Sequence, residues 1–159
     1  MLRWSLTIAA GAGAALVVGA LLAQCASPPD SGESGPALAF GAEETEQLLP
    51  GTWLREYGED GVQVRRLLTL EAGGTFHEVA RVTGSDGKVT QFVHEGTWLF
   101  DGTNLKRRYT SMNGEPPSRL RAPCATFAIV FQTRNEFTGV DHVHHVEIRY
   151  QRVEDGTQP

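Results

Sequence analysis

Apolar and polar residues alternate with a period of two through most of the second half of the chain. Around residues 62–70, Val62, Val64, Leu68 and Leu70 share one face while Gln63, Arg65 and Thr69 share the other, the pattern of a strand with one buried side. Phe127, Ile129 and Phe131 repeat it, and so do Val146, Ile148 and Tyr150. Between such segments stand Gly58-Glu59-Asp60-Gly61, Gly73-Gly74, Gly84-Ser85-Asp86-Gly87, Asp101-Gly102-Thr103-Asn104 and Arg134-Asn135. These residues accept the backbone angles of tight turns, so the spacing is that of consecutive antiparallel strands. Divided into seven or eight strands, residues 50–154 give roughly 13 residues for each strand and its turn, which predicts an all-β fold. The expected architecture is a small antiparallel barrel or a strongly curled sheet, and closure would remove exposed edges.

The first 24 residues follow a different rule. After Arg3 no charged residue occurs until Asp30, and Leu6 to Ala23 is almost wholly Ala, Gly, Leu and Val. A short positive start followed by an apolar run is how a signal peptide begins. The run is also near the roughly 20 residues of a membrane-spanning helix, so an uncleaved anchor competes with that reading. Its end, Leu21-Leu22-Ala23-Gln24-Cys25, resembles the lipobox of bacterial lipoproteins, although Gln24 stands where that pattern has a small residue. The resemblance implies lipid attachment at Cys25 and an extracytoplasmic position at the bacterial cell envelope. Ala26, in place of the Asp that retains some lipoproteins at the inner membrane, implies the outer membrane. With Cys25 lipidated, Cys124 remains as a single thiol; without lipid, a Cys25 to Cys124 disulfide becomes available.

From Ala26 to about Thr45 the chain is Ser, Pro, Gly, Glu and Ala with only Leu38 and Phe40 as larger apolar residues, a composition that buries too little to fold. Glu43 to Leu49 has room for one helical turn before Pro50 stops it. The layout that follows is a signal peptide or anchor at 1–24, a flexible tether at 25–48, the β domain at 49–154 and a disordered tail at 155–159. Removing residues 1–24 leaves 13 basic and 19 acidic residues, a net charge of −6. The basic residues are scattered, as in Arg65-Arg66 and Lys106-Arg107-Arg108, and lack the concentrated face that a phosphate backbone requires. Nucleic acid is excluded as a partner on that ground.

Leu49-Pro50-Gly51-Thr52-Trp53 resembles the opening of lipocalins and of bacterial lipocalin-like domains, in which Gly-x-Trp begins the first strand. Glu95-Gly96-Thr97-Trp98-Leu99-Phe100-Asp101-Gly102 is similar to the mid-domain Gly-Thr-Trp of those bacterial domains, and the terminal Tyr150-Gln151-Arg152 completes the likeness. It implies a barrel end plugged by Trp53, with Arg152 laid across the indole as a cation–π partner worth about 0.5 to 2 kcal/mol.

Candidate chemistry is sparse. His142 and His144 fall in Asp141-His142-Val143-His144-His145-Val146-Glu147, where strand alternation places them on the face of Val146, Ile148 and Tyr150. With His94, in phase with Phe92 and Trp98, they form the candidate ligand set for zinc or copper, and Glu78 is a candidate fourth. Neither a Gly-x-Ser-x-Gly elbow, a Ser-x-x-Lys pair nor a phosphate-binding glycine loop occurs, so no catalytic residue is named. Two functional readings remain. In the first, a non-enzymatic lipocalin-like domain at the envelope binds a small apolar or amphipathic ligand lined by Phe76, Phe92, Trp98, Phe127, Phe131 and Tyr150. In the second, a domain with a filled barrel core docks an envelope protein through residues 113–123 or a sheet edge.

Overall fold

The computed structural model describes residues 40–118 and 123–159. Within them the alternating segments become eight strands: β1 Gly51–Glu59, β2 Val62–Leu70, β3 Thr75–Thr83, β4 Val89–Phe100, β5 Asn104–Met112, β6 Cys124–Thr133, β7 Glu136–Asp141 and β8 Glu147–Val153. They form one closed antiparallel barrel in sequential order. Closure is made by β1 against β8, with Thr52 opposite Val153, Trp53 opposite Arg152 and Leu54 opposite Gln151. The all-β barrel read from the alternation is the fold observed.

The turn chemistry explains the register. Asp60 and Gly61 take φ of 51° and 78°, the two left-handed residues of a type I′ hairpin whose twist matches its strands. Glu59 and Val62 consequently face each other and the whole β1–β2 pairing follows without a slip. Asn113 and Gly114, at φ of 54° and 82°, reverse the chain in the same way after β5 and bring Met112 opposite Glu115. Because β5 runs on to Met112, the segment 113–123 begins at this turn.

One end of the barrel is packed with rings. Trp53, Phe137, Phe131 and Tyr150 are fully or almost fully buried, as are Leu49, Leu68, Leu70 and Leu105. Trp53 meets Phe137 and Phe131 edge-on at centroid distances of 4.8 and 5.7 Å, and Phe137 stacks on Tyr150 at 5.1 Å. Each such side chain taken out of water contributes about 1.5 to 3 kcal/mol. The indole N–H donates to Leu49 O at 2.8 Å, which satisfies the one polar atom this ring brings into the core.

Residues 40–48, expected as part of the tether, belong to this packed end. The helix α1, Ala42–Leu48, buries Thr45, and Phe40 sits edge-on to Phe131 at 6.1 Å. The last residues also differ from a disordered tail. Asp155 accepts from the Thr52 hydroxyl at 2.7 Å and Gln158 O accepts from Arg65 Nε at 3.1 Å, so residues 155–158 lie along the outside of β1 and β2. Both segments are short and polar, and their order comes from the barrel surface they meet. The apolar run of residues 1–24, Cys25 and the rest of the tether to residue 39 lie outside the described residues; among the described ones no helix is long and apolar enough to cross a membrane.

Candidate functional site

The half of the barrel away from α1 is built differently. Alternation carries the inward face of β1 from Trp53 to Arg55 and Tyr57, and that of β2 from Leu68 to Arg66 and Val64. The pairing puts Arg55 directly opposite Arg66, Arg66 opposite Ala80 and Ala80 opposite Phe92. One cross-strand row of the interior thus reads Arg55, Arg66, Ala80, Phe92 over four neighbouring strands. The next row inward reads Trp53, Leu68, Glu78, His94.

Glu78 is fully buried and organises the charges. Arg107 Nη1 donates to its Oε2 at 2.6 Å, Arg66 Nη1 donates to Oε1 at 3.1 Å, and His94 Nδ1 lies 3.1 Å from the same Oε1. Burial alone would raise the pKa of this carboxyl. The field of Arg107, the hydrogen bond with His94 and the field of Arg66 together outweigh it and hold Glu78 well below the usual carboxylate range. Arg107 is itself enclosed, with its Cζ 5.2, 5.5 and 5.7 Å from the ring centroids of Phe127, Phe76 and Tyr109. Burial pushes the phenols of Tyr109 and Tyr150 upward in pKa, with Arg107 opposing, so both stay neutral hydrogen-bonding groups near neutral pH.

The charges do not balance. Three guanidinium groups, Arg55, Arg66 and Arg107, occupy the inward face around one carboxylate, Glu78. Asp141, opposite Phe127 on β7, spends its carboxylate locally: it accepts from the backbone N–H of Val143 and His144 and meets the His144 ring. Like charges directly opposed across two strands are destabilising, yet Arg55 faces Arg66. Among the described residues, Nε of both Arg66 and Arg107 is buried without a hydrogen-bond partner, an arrangement that costs stability unless an acceptor meets it. Tyr57 ties the outer two cations together, with Arg55 Cζ 4.3 Å from its ring centroid and Arg66 Nη2 donating to its hydroxyl at 3.4 Å. Tyr57 and Phe92 are 40% and 37% exposed, so this half opens to solvent through aromatic faces.

The residues singled out from sequence take separate places. Phe76, Phe127, Phe131 and Tyr150 are buried in the core, Trp98 is half-buried and donates its indole N–H to Glu71 O at 2.9 Å, and Phe92 stands at the open end. The four buried rings belong to one core cluster, and Trp98 packs against it. Arg152 lies with its Cζ 4.2 Å from the Trp53 ring centroid and also donates to Pro50 O at 2.9 Å and to Leu48 O, joining α1 to the barrel end.

The histidines are dispersed too. His94 joins Glu78, His142 Nε2 is 2.8 Å from Asn104 Oδ1, and His144 bonds Asp141; among the described residues no group of three or more His, Cys, Asp or Glu side chains converges. The strand drawn through His142 to Val146 is a turn instead, because the Asp141 carboxylate captures the next backbone N–H groups and His145 adopts φ of 55°, a left-handed angle histidine tolerates better than most. Val146 is accordingly 49% exposed rather than interior. Cys124 opens β6, and Cys25 lies outside the described residues.

Sequence reasoning passed over Arg55, Arg66 and Arg107 as binding candidates. Each sits in phase with apolar neighbours: Arg66 between Val64 and Leu68, Arg107 between Leu105 and Tyr109. A charged residue at an inward position of an alternating strand is the signal that finds them. No protein-family model matches the sequence, and no curated protein matches it.

Proposed function

We propose that this chain is a lipocalin-like, non-enzymatic binding domain held at the bacterial cell envelope by its N-terminal segment, and that the open half of the barrel takes a small amphipathic ligand. The observation that carries the reading is the division of the interior into a ring-packed half and a charged half reached past Tyr57 and Phe92. A domain that needed only stability gains little from burying an ion cluster, since well-packed apolar side chains of similar volume do as well or better. Binding is favoured over catalysis because Glu78 is held ionised by two guanidinium groups, and a carboxylate so fixed neither takes up nor gives up a proton near neutral pH. Thermal unfolding of the full chain in phospholipid nanodiscs, scanned against neutral, anionic and cationic amphipathic small molecules, tests the reading. A true ligand at 100 times its Kd stabilises by about 2.7 kcal/mol; a scan with no shift in any class refutes it.

The anchor is a separate part of the proposal and rests on the resemblance of residues 21–25 to a lipobox. Intact-mass spectrometry of protein purified from membranes tests it. A mature species starting at Cys25 and carrying acyl mass is expected, whereas a lipid-free mass with the N-terminus elsewhere overturns lipidation.

A second reading, docking of an envelope protein, draws on the filled core and on the exposed Val140, Val143 and Val146 at the β7–β8 turn. Crosslinking in intact envelopes to a single partner, lost in Val143→Asp, would favour it over ligand binding.

A further inference from the structure

We infer that the ligand of the open half is a small apolar monocarboxylic acid, held head-inward by Arg55 and Arg66; this rests on the binding reading above. Around Glu78, among the described residues, three guanidinium groups, those of Arg55, Arg66 and Arg107, share one carboxylate. Glu78 occupies Arg107 with one oxygen and one edge of Arg66 with the other. Arg55 has no carboxylate within ion-pair distance among the described residues, and it stands directly across the strand pair from Arg66. Arg66 keeps partial exposure, with its side chain 24% accessible. Arg66 already donates Nη1 to Glu78 and Nη2 to the Tyr57 hydroxyl, so Arg55 offers the open fork and Arg66 the supporting positive charge for the two oxygens of a carboxylate, whose planar geometry accepts paired N–H donors.

The surroundings set the rest of the ligand. Ala80, opposite both Arg66 and Phe92 in the pairing, is buried and is the smallest side chain of its row. Toward α1 the barrel is filled by Trp53, Phe131, Phe137 and Tyr150, so an apolar body has no room deeper than the charged row. The body must lie outward, against Tyr57 and Phe92, the exposed aromatics of the same mouth. The ligand is therefore short, with its charge buried and its apolar part at the rim. This is the reverse of a ligand threaded tail-first into a barrel. A phosphate dianion fits less well: its second charge would exceed what Arg55 supplies once Arg66 is shared with Glu78.

Three probes of matched size separate the outcomes: phenylacetate, 2-phenylethanol and phenethylamine, titrated calorimetrically into the full chain in nanodiscs, with empty nanodiscs as reference. Phenylacetate is expected to bind at least tenfold more tightly than either of the others, and Arg55→Gln, which leaves the Glu78 pairs intact, is expected to weaken it at least tenfold without lowering the melting temperature. Equal binding of phenylacetate and phenylethanol, or an Arg55→Gln protein that binds phenylacetate normally, overturns the carboxylate assignment while the binding reading stands. Preference for inorganic phosphate over phenylacetate overturns it as well. If neither the three probes nor the wider amphipathic scan gives heat or a thermal shift, the binding reading itself fails.

Discussion

Replacing Glu78 with Gln removes the carboxylate paired with Arg66 and Arg107 and changes almost nothing else. The amide has the same shape and keeps one oxygen that accepts a hydrogen bond, so any loss reports on charge. Arg107 Nη1 is 2.6 Å from Glu78 Oε2, and both side chains are at most 2% exposed. At an effective dielectric constant of about 20, charges about 4 Å apart interact by about 4 kcal/mol, and removing one partner of such a buried pair costs about 3 to 5 kcal/mol. Arg66 adds less because solvent screens it. A loss of about 3 kcal/mol is expected, a large share of the roughly 5 to 15 kcal/mol that holds a typical domain together. Urea titration followed by circular dichroism, on the wild type, Glu78→Gln, Arg107→Met and the double variant, measures it. The double variant should recover part of the loss, since no cation is then stranded in the interior. A change below about 1 kcal/mol in Glu78→Gln, or strictly additive single losses, would refute the argument that the carboxylate anchors the cluster.

Because the folded pKa of Glu78 lies below the value of about 4.3 for an unfolded Glu, its contribution is complete above that pH and fades as pH falls toward the folded value. The difference in melting temperature between wild type and Glu78→Gln should therefore narrow from pH 7 to pH 3, and a constant difference would contradict it. Arg152→Ala removes the cation over Trp53 and its bonds to Pro50 O and Leu48 O; a loss of about 1 to 2 kcal/mol is expected, and an unchanged melting temperature would show that α1 is held by packing alone. Gly96→Ala should leave little folded protein, because a Cβ there would come 2.0 Å from Arg108 O and 2.7 Å from the Phe76 ring; soluble, cooperatively unfolding protein would mean that the β4–β5 pairing, whose register shifts between Glu95 and Gly96, relaxes there. Asp141→Ala frees the backbone N–H groups of Val143 and His144, and hydrogen exchange should quicken across residues 141–147 while β1 and β2 stay protected.

The barrel was legible in the sequence because both of its ingredients are local. Period-two alternation fixes which side chains face in, and pairs such as Asp60-Gly61 fix how neighbouring strands register. What stayed hidden depends on which strands meet. Nothing near Glu78 in sequence announces Arg66 or Arg107, which reach it through the β2–β3 pairing and across the barrel interior. The in-phase position of Arg66 between Val64 and Leu68 was visible, but it reads as an interruption until a partner is known. At His142 to Val146 the alternation misled because apolar spacing is silent about a carboxylate that captures backbone N–H groups. Residues 40–48 and 155–158 were underestimated for a related reason: composition describes what a segment can bury by itself, and both are ordered by a surface made elsewhere in the chain.

The placement of α1 sets the end of the barrel at which the described chain begins. Residue 40 lies at the ring-packed end, beside Phe131, and β1 runs from there toward the charged opening. Nine residues of strand, inclined at about 35 to 45° to the barrel axis, separate the two ends by roughly 20 to 25 Å. A tether reaching the barrel at this end enters beside the plug and leaves the charged half unobstructed by α1. Solutes would then arrive by diffusion through water instead of sliding out of the lipid. Such an arrangement suits molecules soluble enough to travel alone, and it lets a solute approach the charged half without disturbing the packed end.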